Sequence, residues 1–123
     1  MAVRILIVDD EPNIVVSLEF LMRQKGYETQ VARDGEEALA AVESFRPDLV
    51  LLDVNVPRRD GFEVCQKLRA DGWTELKIVM LTAKGRDIEI EKGLALGADA
   101  YVTKPFSTRE LVARVADMLG DGA

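Results

Sequence analysis
The chain contains no histidine. This excludes a nucleophile activated by a histidine base, a histidine-ligated metal and any role as a phosphohistidine donor. The single cysteine, Cys65, has no partner for an internal disulfide. It falls with Phe62 and Leu68 at three-residue spacing on a helical stretch, which reads as a core position rather than a reactive thiol. No apolar run is long enough to span a bilayer, and no charged-then-apolar leader opens the chain. The expectation is a cytoplasmic protein without membrane contact. Basic residues are outnumbered, 16 against 22 acidic, and the net charge of −6 argues against direct nucleic-acid binding. Repeats, linkers and low-complexity tracts are also missing. What is left, 123 residues with 48% hydrophobic and 31% charged, suits one soluble globular domain with a single sizeable core.

Short apolar runs, each closed by polar residues, dominate what is present. Arg4-Ile5-Leu6-Ile7-Val8 is followed by Asp9-Asp10, Asp48-Leu49-Val50-Leu51-Leu52 by Asp53, and Lys77-Ile78-Val79-Met80-Leu81 by Thr82. A fourth and shorter run, Ala100-Tyr101-Val102-Thr103, precedes Lys104. Continuous runs of this length read as strands covered on both faces of a parallel sheet. Strands are expected at 3–8, 28–32, 48–53, 77–81 and 99–103, alternating with helices at 12–25, 35–45, 61–70, 86–96 and 107–119. That alternation predicts an α/β fold, a doubly wound, five-stranded parallel sheet with five flanking helices and right-handed crossovers. Strand 28–32 is the most polar and 99–103 the next, so both belong at the edges, which fits the order 2-1-3-4-5.

Local signals support these boundaries. Pro12 suits the first turn of the first helix and Gly26 its C-terminal end. Ser107-Thr108-Arg109-Glu110 is a capping box opening the last helix, whose Leu111, Val112, Val115 and Leu119 share one face. The segment 86–96 is the weak helix: Ile88-Glu89-Ile90-Glu91 alternates like a strand, and Gly93 costs about 1 kcal/mol relative to alanine. Trp73 has no role that the sequence explains.

The polar groups at the strand ends converge on the sheet edge where open α/β folds bind ligands. Asp9, Asp10 and Asp53 would form a self-repelling carboxylate cluster that calls for a cation. Oxygen ligands without histidine or cysteine suit a hard ion such as Mg²⁺, which keeps several waters and leaves positions for phosphate oxygens. Lys104 would supply a point charge and Thr82 a hydroxyl to a phosphoryl group. Taken singly, Asp9 or Asp10 is explained as well by a helix cap or solvated turn. Five such groups at consistent strand ends are not.

Four motifs in this order and spacing are specific in combination: Val8-Asp9-Asp10-Glu11; Leu52-Asp53-Val54-Asn55-Val56-Pro57 with Asp60-Gly61; Leu81-Thr82-Ala83; and Gly97-Ala98-Asp99 through Lys104-Pro105-Phe106. Over essentially its whole length the chain resembles the receiver domain of bacterial two-component response regulators, with the flavodoxin-like fold of the chemotaxis regulators. Order 2-1-3-4-5 is that family's own, so it is not independent support. The resemblance implies a receiver domain over 1–120 with a tail at 121–123. It implies Asp53 as phosphoacceptor, Asp10 and Asp53 as carboxylate ligands of Mg²⁺, Asp9 acting largely through water, and Asn55 contributing its backbone carbonyl. Thr82 and Lys104 would bind the phosphoryl oxygens, and Lys104-Pro105 would be cis. Tyr101 matches the aromatic switch position that follows Thr82. Lys84, like Asn55, would flank the path of the water that ends the phosphorylated state and so set its lifetime. Val56 departs from the usual methionine or leucine.

The implied function is a signalling switch rather than a metabolic enzyme. A sensor histidine kinase or phosphotransfer protein would donate its phosphoryl group to Asp53, and the receiver would catalyse both this transfer and its later hydrolysis. Phosphorylation would change the face of the fourth helix, fifth strand and fifth helix toward a downstream effector. Arg109-Glu110-Leu111 and Ala113-Arg114 resemble receivers that pair through this face, whereas Ala100 stands where those often carry an aspartate. A phosphorylation-dependent homodimer therefore stays open, as does the choice between a free-standing receiver and part of a longer regulator. The alternative is an aspartate-nucleophile phosphatase, which wants a second acid two residues after its nucleophile. Here that residue is Asn55.

Overall fold
The computed structural model describes residues 2–83 and 87–120. Five strands, β1 (Arg4–Val8), β2 (Glu28–Ala32), β3 (Leu49–Asp53), β4 (Lys77–Ala83) and β5 (Ala100–Lys104), pair in parallel in the order β2-β1-β3-β4-β5. Between and after them run α1 (Pro12–Gln24), α2 (Gly35–Phe45), α3 (Gly61–Ala70), α4 (Asp87–Ala95) and α5 (Thr108–Leu119).

The apolar runs are continuous because the sheet is buried on both sides, and successive side chains feed two separate cores. Leu6, Val8, Val50, Leu52, Ile78 and Met80 pack with Ala38 and Val42 of α2 and Val64, Cys65 and Leu68 of α3. The alternate residues Ile5, Ile7, Leu49, Leu51, Val79 and Leu81 pack with Leu18 and Met22 of α1 and Leu111 and Val115 of α5. Every residue of β3 is buried, whereas β2 and β5 are partly exposed, as their composition predicts for edges. Truncating a central residue such as Leu51 to alanine would cost about 2–5 kcal/mol.

Helix ends follow local chemistry. Pro12 opens α1, and Gly26, at φ 86°, supplies the left-handed turn beyond it. Asp34, Asp60 and Ser107 cap α2, α3 and α5 by accepting the backbone N–H of Glu37, Glu63 and Glu110. Two strand ends differ from the sequence expectation. β4 runs on through Thr82 and Ala83, and β5 through Lys104, because Thr82 pairs with Thr103 and Ala83 with Lys104 in register. Thr82 and Lys104 therefore lie on strands rather than past them. The weak helix does form, over Asp87–Ala95, because Gly93 is buried against Met80: a Cβ there would stand 3.3 Å from Met80 Cγ.

Candidate functional site
β1, β3, β4 and β5 end at the same edge of the sheet, and each delivers one part of the site. After β1, the Asp9 N–H donates to Ala32 O at 3.1 Å, so the backbone stays strand-like for one more residue. This turns the Asp9 carboxylate inward, where it is fully buried. One of its oxygens accepts the Glu11 N–H at 3.0 Å and the other accepts Lys104 Nζ at 2.9 Å. Asp10, next in sequence, is exposed.

Asp53 closes β3 and is 6% exposed. Its Oδ1 accepts the Asn55 N–H at 3.3 Å, and its Oδ2 lies 3.5 Å from Lys104 Nζ. The α3 N-terminus comes close behind it: a Cβ on Gly61 would stand 2.6 Å from the Asp53 carbonyl oxygen, so only glycine fits there. Thr82 is buried on β4, one residue beyond Leu81, the partner of Asp53 in the ladder. The Lys104-Pro105 peptide is cis.

Burial pushes the Asp53 carboxyl above its ordinary pKa; the Lys104 charge and the Asn55 N–H pull it back, and the Asp9 charge adds to the rise. Burial works to lower the Lys104 pKa, yet its hydrogen bond to Asp9 and the charges of Asp53 and Asp9 win, and the ammonium is stabilised. Asp9, Asp10 and Asp53 each offer a carboxylate oxygen, all within 4.8 Å of one another. Among the described residues, three formal negative charges stand against one lysine, which leaves room for a cation. The donor chemistry, oxygen only, fits a hard ion such as Mg²⁺.

The structure thus brings together Asp9, Asp10, Asp53 and Lys104, with Thr82 on the adjoining strand. Asn55 is exposed on the loop after β3. Val56 is buried, as its hydrophobic replacement of a larger residue allows. Tyr101 lies apart, exposed on β5, where it lines a cavity of about 280 Å³ with Phe106 and Arg114. Lys84 lies outside the described residues. Sequence reasoning missed the Lys104–Asp9 pair and the part of Gly61; the signal for the pair was one lysine among three acids in one pocket.

The family described as "Response regulator receiver domain" matches residues 5–116. The chain belongs to the response regulator receiver family. A response regulator of Chloroflexus aurantiacus is 39% identical, with a TM-score of 0.92, over 98% of this chain and 99% of that one. The Vibrio cholerae chemotaxis protein CheY4 is 31% identical, with a TM-score of 0.89, over 96% and 99%. The receiver domain of the Francisella response regulator 1452 is 30% identical, with a TM-score of 0.89, over 98% of each chain. The protein is a receiver domain of the two-component type, a phosphoacceptor switch, and the phosphatase alternative is not favoured. Receivers of this family work with kinases or phosphotransfer proteins and with effectors. Among the described residues no helix is long and apolar enough to cross a membrane.

Proposed function
We propose that Asp53 accepts a phosphoryl group from the phosphohistidine of a sensor histidine kinase or phosphotransfer protein. The N–P bond of the donor breaks as a bond forms from phosphorus to an Asp53 carboxylate oxygen. The observation that carries this reading is the setting of Asp53: nearly buried at the end of a central strand, 3.5 Å from Lys104 and within the carboxylate cluster. Asp10 is too exposed to share that setting, and both Asp9 oxygens are already engaged.

Asp10, Asp53 and the Asn55 carbonyl would hold Mg²⁺, with Asp9 acting through water, and the ion's chemistry there is to neutralise charge on phosphoryl oxygens. Lys104 supplies a fixed positive charge to those same oxygens, and Thr82 a hydroxyl donor. A phosphoryl group on Asp53 draws Lys104 and Thr82 toward it. This biases α4, β5 and α5, with Tyr101 as the reporting side chain, toward a second state that a downstream effector reads. Phosphorylation-dependent pairing of two copies would use the same face. The receiver catalyses its own phosphorylation and its own dephosphorylation, and Lys84 sets the lifetime in between. Residues 1–120 constitute the receiver, the cytoplasm is the location that fits such a partner, and residues 121–123, expected as a tail, lie outside the described residues.

The test is transfer from a phosphorylated histidine protein in the presence and absence of Mg²⁺. The expected product is an acyl phosphate, labile to hydroxylamine and formed only with the divalent ion. A hydroxylamine-stable phosphoester, or transfer indifferent to the metal, would contradict the reading.

A further inference from the structure
The loop from Asp53 to the start of α3 is gripped from outside. Arg58 stands at φ 71°, a left-handed backbone that a residue with a Cβ seldom adopts. Around it the Arg59 N–H returns to Pro57 O at 2.9 Å and closes a γ-turn, of the strained form that a positive φ brings. Such a shape persists where its surroundings hold it. Here the turn that opens α2 does so. The Gly35 N–H donates to the same Pro57 oxygen at 3.1 Å, and Gly35 is buried against Arg59: a Cβ on it would collide with the Arg59 carbonyl oxygen. On either side of Gly35, an Asp34 oxygen lies 3.4 Å from Arg58 Nε and a Glu36 oxygen 2.6 Å from Arg59 Nε.

Asp34 serves both sides of this contact. Its Oδ1 accepts the Glu37 N–H at 2.8 Å, which starts α2, and its Oδ2 faces Arg58. From the inside the same loop is pinned by Val54 and Val56, both buried in the core, and by the Gly61 N–H on Val54 O at 2.9 Å. Asn55 lies between those two valines, exposed, with its N–H on Asp53 Oδ1 at 3.3 Å. The carbonyl of Asn55 is therefore placed by restraints on its neighbours. Fixing a ligand before the ion arrives spares the ordering that binding otherwise costs.

We infer that Arg58 and Arg59, held by Asp34 and Glu36, are positioning residues for the metal ion: they keep the loop in the shape that offers it the Asn55 carbonyl. Neither arginine can be a ligand, because a guanidinium has no acceptor atom. Each carries a charge that repels a divalent cation, so what they contribute to its binding comes through the shape of the loop. The inference rests on the proposed reading, in which the Asn55 carbonyl is a ligand of Mg²⁺.

Calorimetric titration of the full chain with Mg²⁺ tests it. Arg59→Glu should weaken Mg²⁺ binding severalfold although it adds negative charge. Adding Glu36→Arg, which restores the pair with its charges exchanged, should return most of the loss. Coulomb attraction alone gives the reverse order, tighter binding in Arg59→Glu and a return toward the native value in the double variant, and that result would overturn the proposal. Arg58→Gln should weaken binding as well, with Asp34 still capping α2, and it decides the matter where Arg59→Glu does not fold. In metal-free buffer the thermal midpoint of Arg58→Gln should move little, since exposed ion pairs contribute little to stability. A lowered midpoint with native Mg²⁺ affinity would mark a merely structural pair and overturn the inference. A native chain that takes up no Mg²⁺ would point instead to failure of the metal reading, and of this inference with it. Native uptake, with equal or tighter uptake in both arginine variants, would overturn this inference alone.

Discussion

Lys104 donates to Asp9 at 2.9 Å, so the cation that the described residues bring to the site is anchored on a carboxylate that solvent does not reach. The same ammonium stands 3.5 Å from Asp53. Asp9 thereby holds the lysine in place, and on the proposed reading the more open carboxylates, Asp53 and Asp10, serve a metal ion and a phosphoryl group.

Lys104→Met should leave Asp9 buried without its counter-charge. Breaking a buried pair in this way costs about 3–5 kcal/mol, and partial exposure of the lysine puts the expected loss near the lower figure. Saturating Mg²⁺ should restore part of it by supplying another positive charge. Urea unfolding with and without the ion reads both effects; an unchanged midpoint would mean that the pair contributes nothing.

Magnesium should stabilise the native protein by relieving repulsion among Asp9, Asp10 and Asp53. At 100 times the dissociation constant the gain is about 2.7 kcal/mol. Asp10→Asn should remove most of this gain, because Asp10 is the exposed member of the cluster and, on the proposed reading, a ligand of the ion. A thermal midpoint indifferent to millimolar Mg²⁺ would argue against a metal site here.

The Asp53 carboxyl has a raised pKa in the fold, with burial as the leading cause. Between the unfolded and folded values the native state keeps a proton that the unfolded chain has released. Stability therefore falls as pH rises through that window, and the penalty is complete above the folded pKa. Asp53→Asn cannot ionise, so in metal-free buffer it should be more stable than the native chain at neutral pH, with the gap closing on acidification. Lys104 has the same slope in another window: its raised pKa gives a favourable contribution that is fully present below the ordinary lysine value and lost as pH climbs through the folded one. A gap between the native chain and Asp53→Asn that did not vary with pH would contradict the assignment.

Lys84 follows Thr82 by two positions in the sequence. Lys84→Ala should change the hydrolysis rate of the phosphorylated protein severalfold, roughly 1 kcal/mol in barrier height, with Mg²⁺ affinity nearly intact. Timed decay of the labelled protein measures this, and an unaltered rate would assign Lys84 no part in it.

Much of this was legible in the sequence, for identifiable reasons. The central strands are covered on both faces, so Ile5–Val8 and Leu49–Leu52 are unbroken apolar runs that mark both their positions and the residues at their ends. Strand ends were less legible: β4 extends over Thr82 and Ala83 because β5 lies alongside, a tertiary fact without a local signal. The α4 helix contradicts its own alternating pattern because the absent side chain of Gly93 lets it seat on Met80. Arg69 donates to the backbone carbonyls of Gly97, Trp73 and Leu76, a cluster without a sequence signal because any residue supplies such a carbonyl. Trp73, unexplained in sequence, packs against the core and lies under the Arg46 guanidinium.

The central claim is that Asp53, and no other carboxylate of the cluster, carries the phosphoryl group. The most direct measurement is peptide mapping by mass spectrometry after exposure to a small-molecule phosphodonor with Mg²⁺, on the native chain and on Asp53→Ala. The account expects one labelled peptide, the one containing Asp53, and no label in Asp53→Ala. Full labelling of Asp53→Ala, or label on the Asp9-Asp10 peptide of the native chain, would contradict it.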